Sequence, residues 1–125
     1  MLLDTYVFIW WDRQLGKVGA DLRHVIEDGG NQIFVSVASV WEIAIKRAIG
    51  KLEFAASITE AVGRLGFELL PISAPHAEHA GALPRHHSDP FDRLIVAQAM
   101  LEGLVLGTQD PAMRPYGVPM LGLAG

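Results

Sequence analysis

This sequence predicts an α/β fold built on a mostly parallel sheet covered on both faces, and three observations predict it. Short apolar runs (LL at 2–3, IFV at 33–35, LVL at 104–106) alternate with longer stretches of helical character. Those runs have no polar face, which is how strands buried on both sides read; a sheet with one wet face alternates apolar and polar residues. The chain of 125 residues carries no internal repeat, low-complexity tract or linker, so residues 1–125 form a single domain.

In order, MLLD at 1–4 reads as a short buried strand ending at an acid. Tyr6 to Trp11 begins a helix, and Gly19 to Asp28 is a clearer one, stopped by Gly29-Gly30. Ile33-Phe34-Val35, β-branched and aromatic, is the next strand. Val37 to Ile49 is a helix stopped by Gly50, and Ala56 to Leu65 another, stopped by Gly66. Phe67 to Pro71 gives a strand and Ala74 to Leu83 a short helix. Pro90 stands where a helix begins, since a first-turn residue needs no N–H, and this helix runs to Glu102 ahead of Gly103. Leu104-Val105-Leu106 and Val118-Pro119-Met120 are the last strands, the final one at an edge because Pro119 cannot donate to a ladder.

Composition excludes several classes. There is no cysteine, so disulfide scaffolds, thiolate metal sites and thiol nucleophiles are out. With 50% hydrophobic and 19% charged residues the chain is not disordered. A net charge of -4 and a pI near 5.6 are the opposite of a protein that grips nucleic acid through a basic surface. Any nucleic-acid chemistry must therefore be local. No run of apolar residues is long enough to span a membrane, and the start MLLDTYVFIWW lacks a basic leader and is broken by Asp4, so the expected compartment is the cytoplasm.

In parallel sheets the ligand site lies beyond the carboxyl ends of the strands, at a switch point. Asp4 ends the first strand and Asp110 follows Leu104–Leu106 by a short turn, so both fall in that region. Asp4 also fits as the N-cap of the helix near Tyr6. Glu42 lies on a narrow polar stripe, Ser39-Glu42-Lys46-Gly50, of an otherwise apolar helix; it reads either as an i, i+4 pair with Lys46 or as a carboxylate aimed into a cleft. Asp89 before Pro90 is an N-cap, and Asp92 falls in the first turn, where the helix dipole favours an anion and a cation could be held at a strand edge. Asp110 also suits a turn before Pro111. A doubly wound sheet can gather Asp4, Glu42, Asp92 and Asp110 at one end. Carboxylates so close repel and need a cation, and all-oxygen donors select Mg2+ or Mn2+, ions that activate water and steady a displacement at phosphorus.

The segments LLDTYVFIWW, VSVASVWEIAIKRAIGKL, LPRHHSDPFDRLIVAQAMLEG and TQDPAMRPYGVPML resemble those of PIN-domain ribonucleases, specifically VapC-type toxins of bacterial type II (VapBC) toxin–antitoxin systems. The resemblance runs from Met1 to about Leu121, in the family's order and spacing. It implies a PIN-like three-layer α/β/α sandwich and Mg2+- or Mn2+-dependent endonucleolytic cleavage of RNA. It also implies that Asp4, Glu42, Asp92 and Asp110 are the catalytic acids. Asp4 and Asp92 would bind the metal directly, Glu42 and Asp110 directly or through water. Thr5 and Thr108 match small hydroxyl residues beside the acids and would orient a carboxylate or a water. Tyr6 stands where His is commonest and Gln109 where Arg is commonest; neither change removes a ligand.

Other constellations compete less well. His76, His79, His86 and His87 do not form the HExxH arrangement of zinc hydrolases, and a solvated helix face and a polar loop account for them. A two-component receiver domain needs a lysine after its late strand, and the last lysine here is Lys51. A haloacid-dehalogenase-like phosphatase wants a second Asp at the position of Tyr6. The alternative function is a PIN-like protein-interaction module with little or no nuclease activity, against which the presence of all four acids argues.

Lys46, Arg47, Lys51, Arg85 and Arg93 are the candidate contacts to an RNA backbone. Trp10, Trp11 and Trp41 read mainly as core, with one of the Trp10-Trp11 pair a candidate to face a partner. A mean hydropathy of +0.28 leaves apolar surface to cover, unless a well-filled core uses it up. The family resemblance implies a homodimer neutralised by a VapB-like antitoxin. That partner would lay an amphipathic segment along an apolar groove and reach an Arg toward the acids, displacing metal.

Overall fold

The computed structural model describes residues 1–54 and 57–123. Five strands, β1 (Leu2–Leu3), β2 (Phe34–Ser36), β3 (Glu68–Leu70), β4 (Leu106–Gly107) and β5 (Met120–Leu121), form one sheet in the order β3-β2-β1-β4-β5, every pair parallel. The helices are α1 (Thr5–Arg13), α2 (Ala20–Glu27), α3 (Val37–Ala48), α4 (Ile58–Arg64), α5 (Ala74–Ala82) and α6 (Pro90–Glu102). The start expected for the fourth helix, at Ala56, lies outside the described residues.

The alternation of side chains along β1 divides the core into two layers. Leu3 joins Val35, Phe8, Leu22, Ile43 and Val62 on one face, while Leu2 joins Leu106, Ile95, Val96 and Met113 on the other. Helices α1 to α4 cover the first face and α5 and α6 the second, which makes the α/β/α sandwich. Even a two-residue strand, buried on both sides, therefore anchors both layers.

Register shifts the last two strands toward the carboxyl side of the expected runs. Gly103 takes a left-handed conformation and lets Leu104 N–H return to Ala99 C=O, so the chain reaches β1 through the Val105 carbonyl, which accepts the Leu2 N–H at 2.8 Å, and the strand itself is Leu106–Gly107. Pro119 still serves the edge as an acceptor, its carbonyl taking the Leu106 N–H at 2.9 Å. Two 3-10 turns, Leu15–Lys17 and Pro111–Tyr116, join the expected elements.

Two expectations about surface residues change. His76 is not on a solvated face: it is 3% exposed, because Ser73 and His76 cap α5 reciprocally and draw the ring inward. Trp10 and Trp11 are both half-buried against the core, and the tryptophan that faces out is Trp41, at 59% exposure. Among the described residues no helix is long and apolar enough to cross a membrane.

Candidate active site

Strand order reverses at β1: the chain builds outward to β2 and β3, then returns to place β4 and β5 on the other side. The crevice beyond the ends of β1 and β4 is therefore the switch point. Asp4 follows β1 directly, Thr108 follows β4, and α6 brings its first turn alongside. A cavity of ≈ 460 Å³ opens there, lined by Asp4, Tyr6, Trp10, Lys46, His87, Asp89, Asp92, Gln109 and Asp110.

Asp4 serves both purposes anticipated for it. Oδ1 caps α1 by accepting the Val7 N–H at 2.8 Å, and Oδ2 accepts the Thr108 hydroxyl. Burial pushes its carboxyl up to about 6, with Asp110 and Glu42 adding to the rise and the bonds from Thr108 and Val7 opposing it. Asp92 is pushed up to about 7, first by burial, then by the charges of Asp89, Asp4 and Glu42; its bond with His87 opposes the rise. Asp110 caps the second 3-10 turn with Oδ1 and leaves Oδ2 facing His87.

Glu42 is 2% exposed, far from an ordinary surface pair. Oε2 accepts from Lys46 Nζ at 2.7 Å, and Oε1 is buried with no hydrogen-bond partner. Lys46 also donates to the Tyr6 hydroxyl at 2.9 Å and lies 4.9 Å from the centroid of its ring. Burial disfavours the ammonium, but the bonds to Glu42 and Tyr6 outweigh it and raise its pKa. Thr5 sits behind α3 and pairs with the Ser39 hydroxyl at 2.9 Å, one turn before Glu42.

Three residues at the site were not anticipated for it. Asp89 is the expected cap of α6, yet it also lines the cavity and acts on Asp92. Tyr6 shares Lys46 with Glu42. His87 places Nε2 2.8 Å from Asp92 Oδ2 and 3.8 Å from Asp110 Oδ2. Among the described residues, His87, Asp92 and Asp110 are the group spaced to share an ion. Gln109 braces the cavity wall, donating to Lys17 C=O at 2.9 Å and accepting the Gly19 N–H at 2.7 Å. Arg93, by contrast, is turned away from solvent chemistry: its guanidinium donates to the carbonyls of Ala80, Leu83, Pro84 and His87.

Comparison with known proteins places this architecture. The PIN domain matches residues 1–118. The chain belongs to the PIN-domain family. It is 31% identical to ribonuclease VapC22 of Mycobacterium tuberculosis (strain ATCC 25618 / H37Rv) over 127 residues, covering 95% of this chain and 93% of that protein. Similar solved structures include a toxin–antitoxin complex from Klebsiella pneumoniae, with 22% identity, a TM-score of 0.64, and 96% of this chain and 94% of that chain covered. Another is DNA-bound VapBC from Salmonella typhimurium, with 17% identity, a TM-score of 0.65, and 96% and 95% covered. Identities this low speak for the fold.

The donor set of this PIN domain fits a divalent cation. Asp4, Asp89, Asp92 and Asp110 line one cleft, Asp4 and Asp92 hold their protons unusually well, and Glu42, behind that lining, acts on both through its charge and has a buried oxygen without a partner. An ion would satisfy that oxygen and relieve the repulsion.

Proposed function

We propose that this chain is the toxin of a type II toxin–antitoxin pair and a Mg2+- or Mn2+-dependent endoribonuclease. The observation that carries the reading is the carboxylate cluster at the switch point, with its unpartnered buried Glu42 oxygen, in a chain 31% identical to a VapC ribonuclease. Asp4 and Asp92 would hold the ion directly, and Glu42 and Asp110 would do so directly or through water. When bound, the ion activates water and offsets charge developing on the scissile phosphate.

The remaining residues bind and orient. Thr108 fixes one Asp4 oxygen, leaving the carboxylate one orientation. Lys46 holds Glu42 in place and adds positive charge to the cavity wall, beside the Tyr6 and Trp10 rings, on which a base can stack. Arg85 lines a smaller cavity of ≈ 230 Å³ that shares His87 with the acid cleft, and is the cation best placed for a neighbouring phosphate. With Arg93 committed to carbonyls and Lys46 to Glu42, phosphate contacts are few, so RNA binding depends only shallowly on salt.

The partners follow from apolar surface and from the relatives. Val37, Trp41 and Ile45 recur every fourth residue along α3 and Ile49, its C-cap, continues the row, all substantially exposed. Such a stripe is an interaction surface. It supports a homodimer, and solved relatives that are toxin–antitoxin complexes support a VapB-like antitoxin partner.

The test is cleavage of RNA by the purified chain with and without Mg2+ or Mn2+. Cleavage should need the ion, vanish in Asp4→Asn and vanish in the antitoxin complex. Metal-independent cleavage would overturn the metal dependence, and no cleavage by the wild type under any ion would instead favour a protein-binding module. Sedimentation of the isolated chain as a strict monomer at micromolar concentration would sink the dimer.

A further inference from the structure

We propose that His87 is a nitrogen ligand of the divalent cation at this site, so that the centre takes Mn2+ in preference to Mg2+. The inference rests on the metal-site reading above and adds to it a donor of different chemistry.

The geometry comes first. His87 Nε2 stands 2.8 Å from Asp92 Oδ2 and 3.8 Å from Asp110 Oδ2, and one donor atom from each residue lies within 4.8 Å of the other two. Donors about 2.1 Å from one ion stand about 3 Å apart at right angles and about 4 Å apart across it. The Nε2–Oδ2 contact is a hydrogen bond whose proton an ion would displace, and one donor atom of each residue is close enough to the others to meet on a single ion.

The backbone that carries the ring is also held in place. The His87 backbone N–H donates to the Tyr116 hydroxyl at 3.0 Å, and the preceding loop is pinned through Leu83 and Pro84 carbonyls by Arg93. The side chain is 21% exposed, which leaves one edge open to the cleft. An independent observation that favours a cation here is Glu42 Oε1, buried without a hydrogen-bond partner, whose carboxylate charge acts on Asp92.

Lys46 pairs with Glu42 at 2.7 Å, which leaves Asp92 and Asp110 facing the His87 imidazole. What imidazole adds is a nitrogen lone pair. Mg2+ takes hard oxygen donors almost exclusively, whereas first-row transition ions accept imidazole readily. One such donor among carboxylates shifts the balance toward Mn2+.

The experiment is pulsed EPR on the untagged full-length chain loaded with Mn2+. The expected result is a 14N modulation from a directly bound imidazole, kept in His86→Gln and lost in His87→Gln. Mn2+ affinity should fall about tenfold or more in His87→Gln. Mg2+ affinity, read by competition with Mn2+, should change less than about threefold, since Mg2+ leans on the oxygens. Stoichiometric Mn2+ binding with no 14N modulation in the wild type would overturn the His87 assignment while leaving the acid cluster standing. No Mn2+ binding, or binding indifferent to Asp92→Asn, would overturn the metal site itself. Should His87→Gln fail to fold, the wild-type and His86→Gln spectra decide.

Discussion

The Thr108 hydroxyl donates to Asp4 Oδ2, joining residues that stand 104 positions apart, while it accepts the Asp110 N–H at 3.0 Å. One side chain thus ties the ends of β1 and β4 together and sets the acids on either side of it. In Thr108→Val the buried Asp4 oxygen loses its donor, at a cost of about 1.5–3 kcal/mol. Urea denaturation should show that loss and RNA cleavage should fall at least about tenfold. Thr108→Ser should keep most of both. Wild-type cleavage by the valine variant would remove Thr108 from the site.

Asp92→Asn should separate function from stability. Burial and the charges of Asp89, Asp4 and Glu42 all oppose the ionised Asp92. Removing that charge should raise the melting temperature of the metal-free chain by several degrees. RNA cleavage should drop at least about a hundredfold. A variant that melts lower yet cleaves normally would contradict both halves of the argument.

Stability of the metal-free chain should fall as pH rises. Asp4 is held at about 6 and Asp92 at about 7, against 3.8 for each as the reference value. A raised carboxyl binds its proton more tightly in the folded state, so its contribution is full below about pH 4 and is lost as pH climbs through 6 to 7. Melting in EDTA from pH 4 to 8 should trace that loss as far as these two groups are concerned. Mn2+ at pH 8 should restore it. A flat profile with no rescue by metal would argue against a strained acid cluster.

Arg93→Lys should behave as a drastic change. The guanidinium reaches the Ala80, Leu83 and Pro84 carbonyls at 2.9 to 3.0 Å, a fork that a single ammonium cannot copy. The loss should be about 1–3 kcal/mol in chemical denaturation, with faster amide exchange across 83–88. Unaltered exchange in that loop would show that Arg93 does not hold it.

Much of this architecture was legible because strands and caps are local. MLLD marks β1 and its acid, Asp89-Pro90 marks the start of α6, and Pro119 marks the edge. The acids could be grouped because parallel strands deliver their carboxyl ends to one place. His87 could not, since its position depends on Tyr116, 29 residues on, and on Arg93 folding back over the loop. The Lys46–Tyr6 contact, 40 residues apart, is likewise absent from any periodic pattern. His76 was misplaced because Ser73–His76 is not the Ser-x-x-Glu form of a capping box, although it closes the same two bonds.

The sheet order has a consequence for timing. β1 occupies the middle of the sheet, yet its neighbour β4 and the residues that complete the acid cluster, Thr108 and Asp110, are made about a hundred residues later. A ribosome-bound chain that has not yet presented those residues holds Asp4 without its hydroxyl partner and the crevice without one wall. On the proposed reading, a chain still being synthesised lacks the Thr108 and Asp110 side of the site until its last strands emerge. The site can be complete only once β4 has docked beside β1, so the last fifth of the chain decides when the proposed centre comes into being.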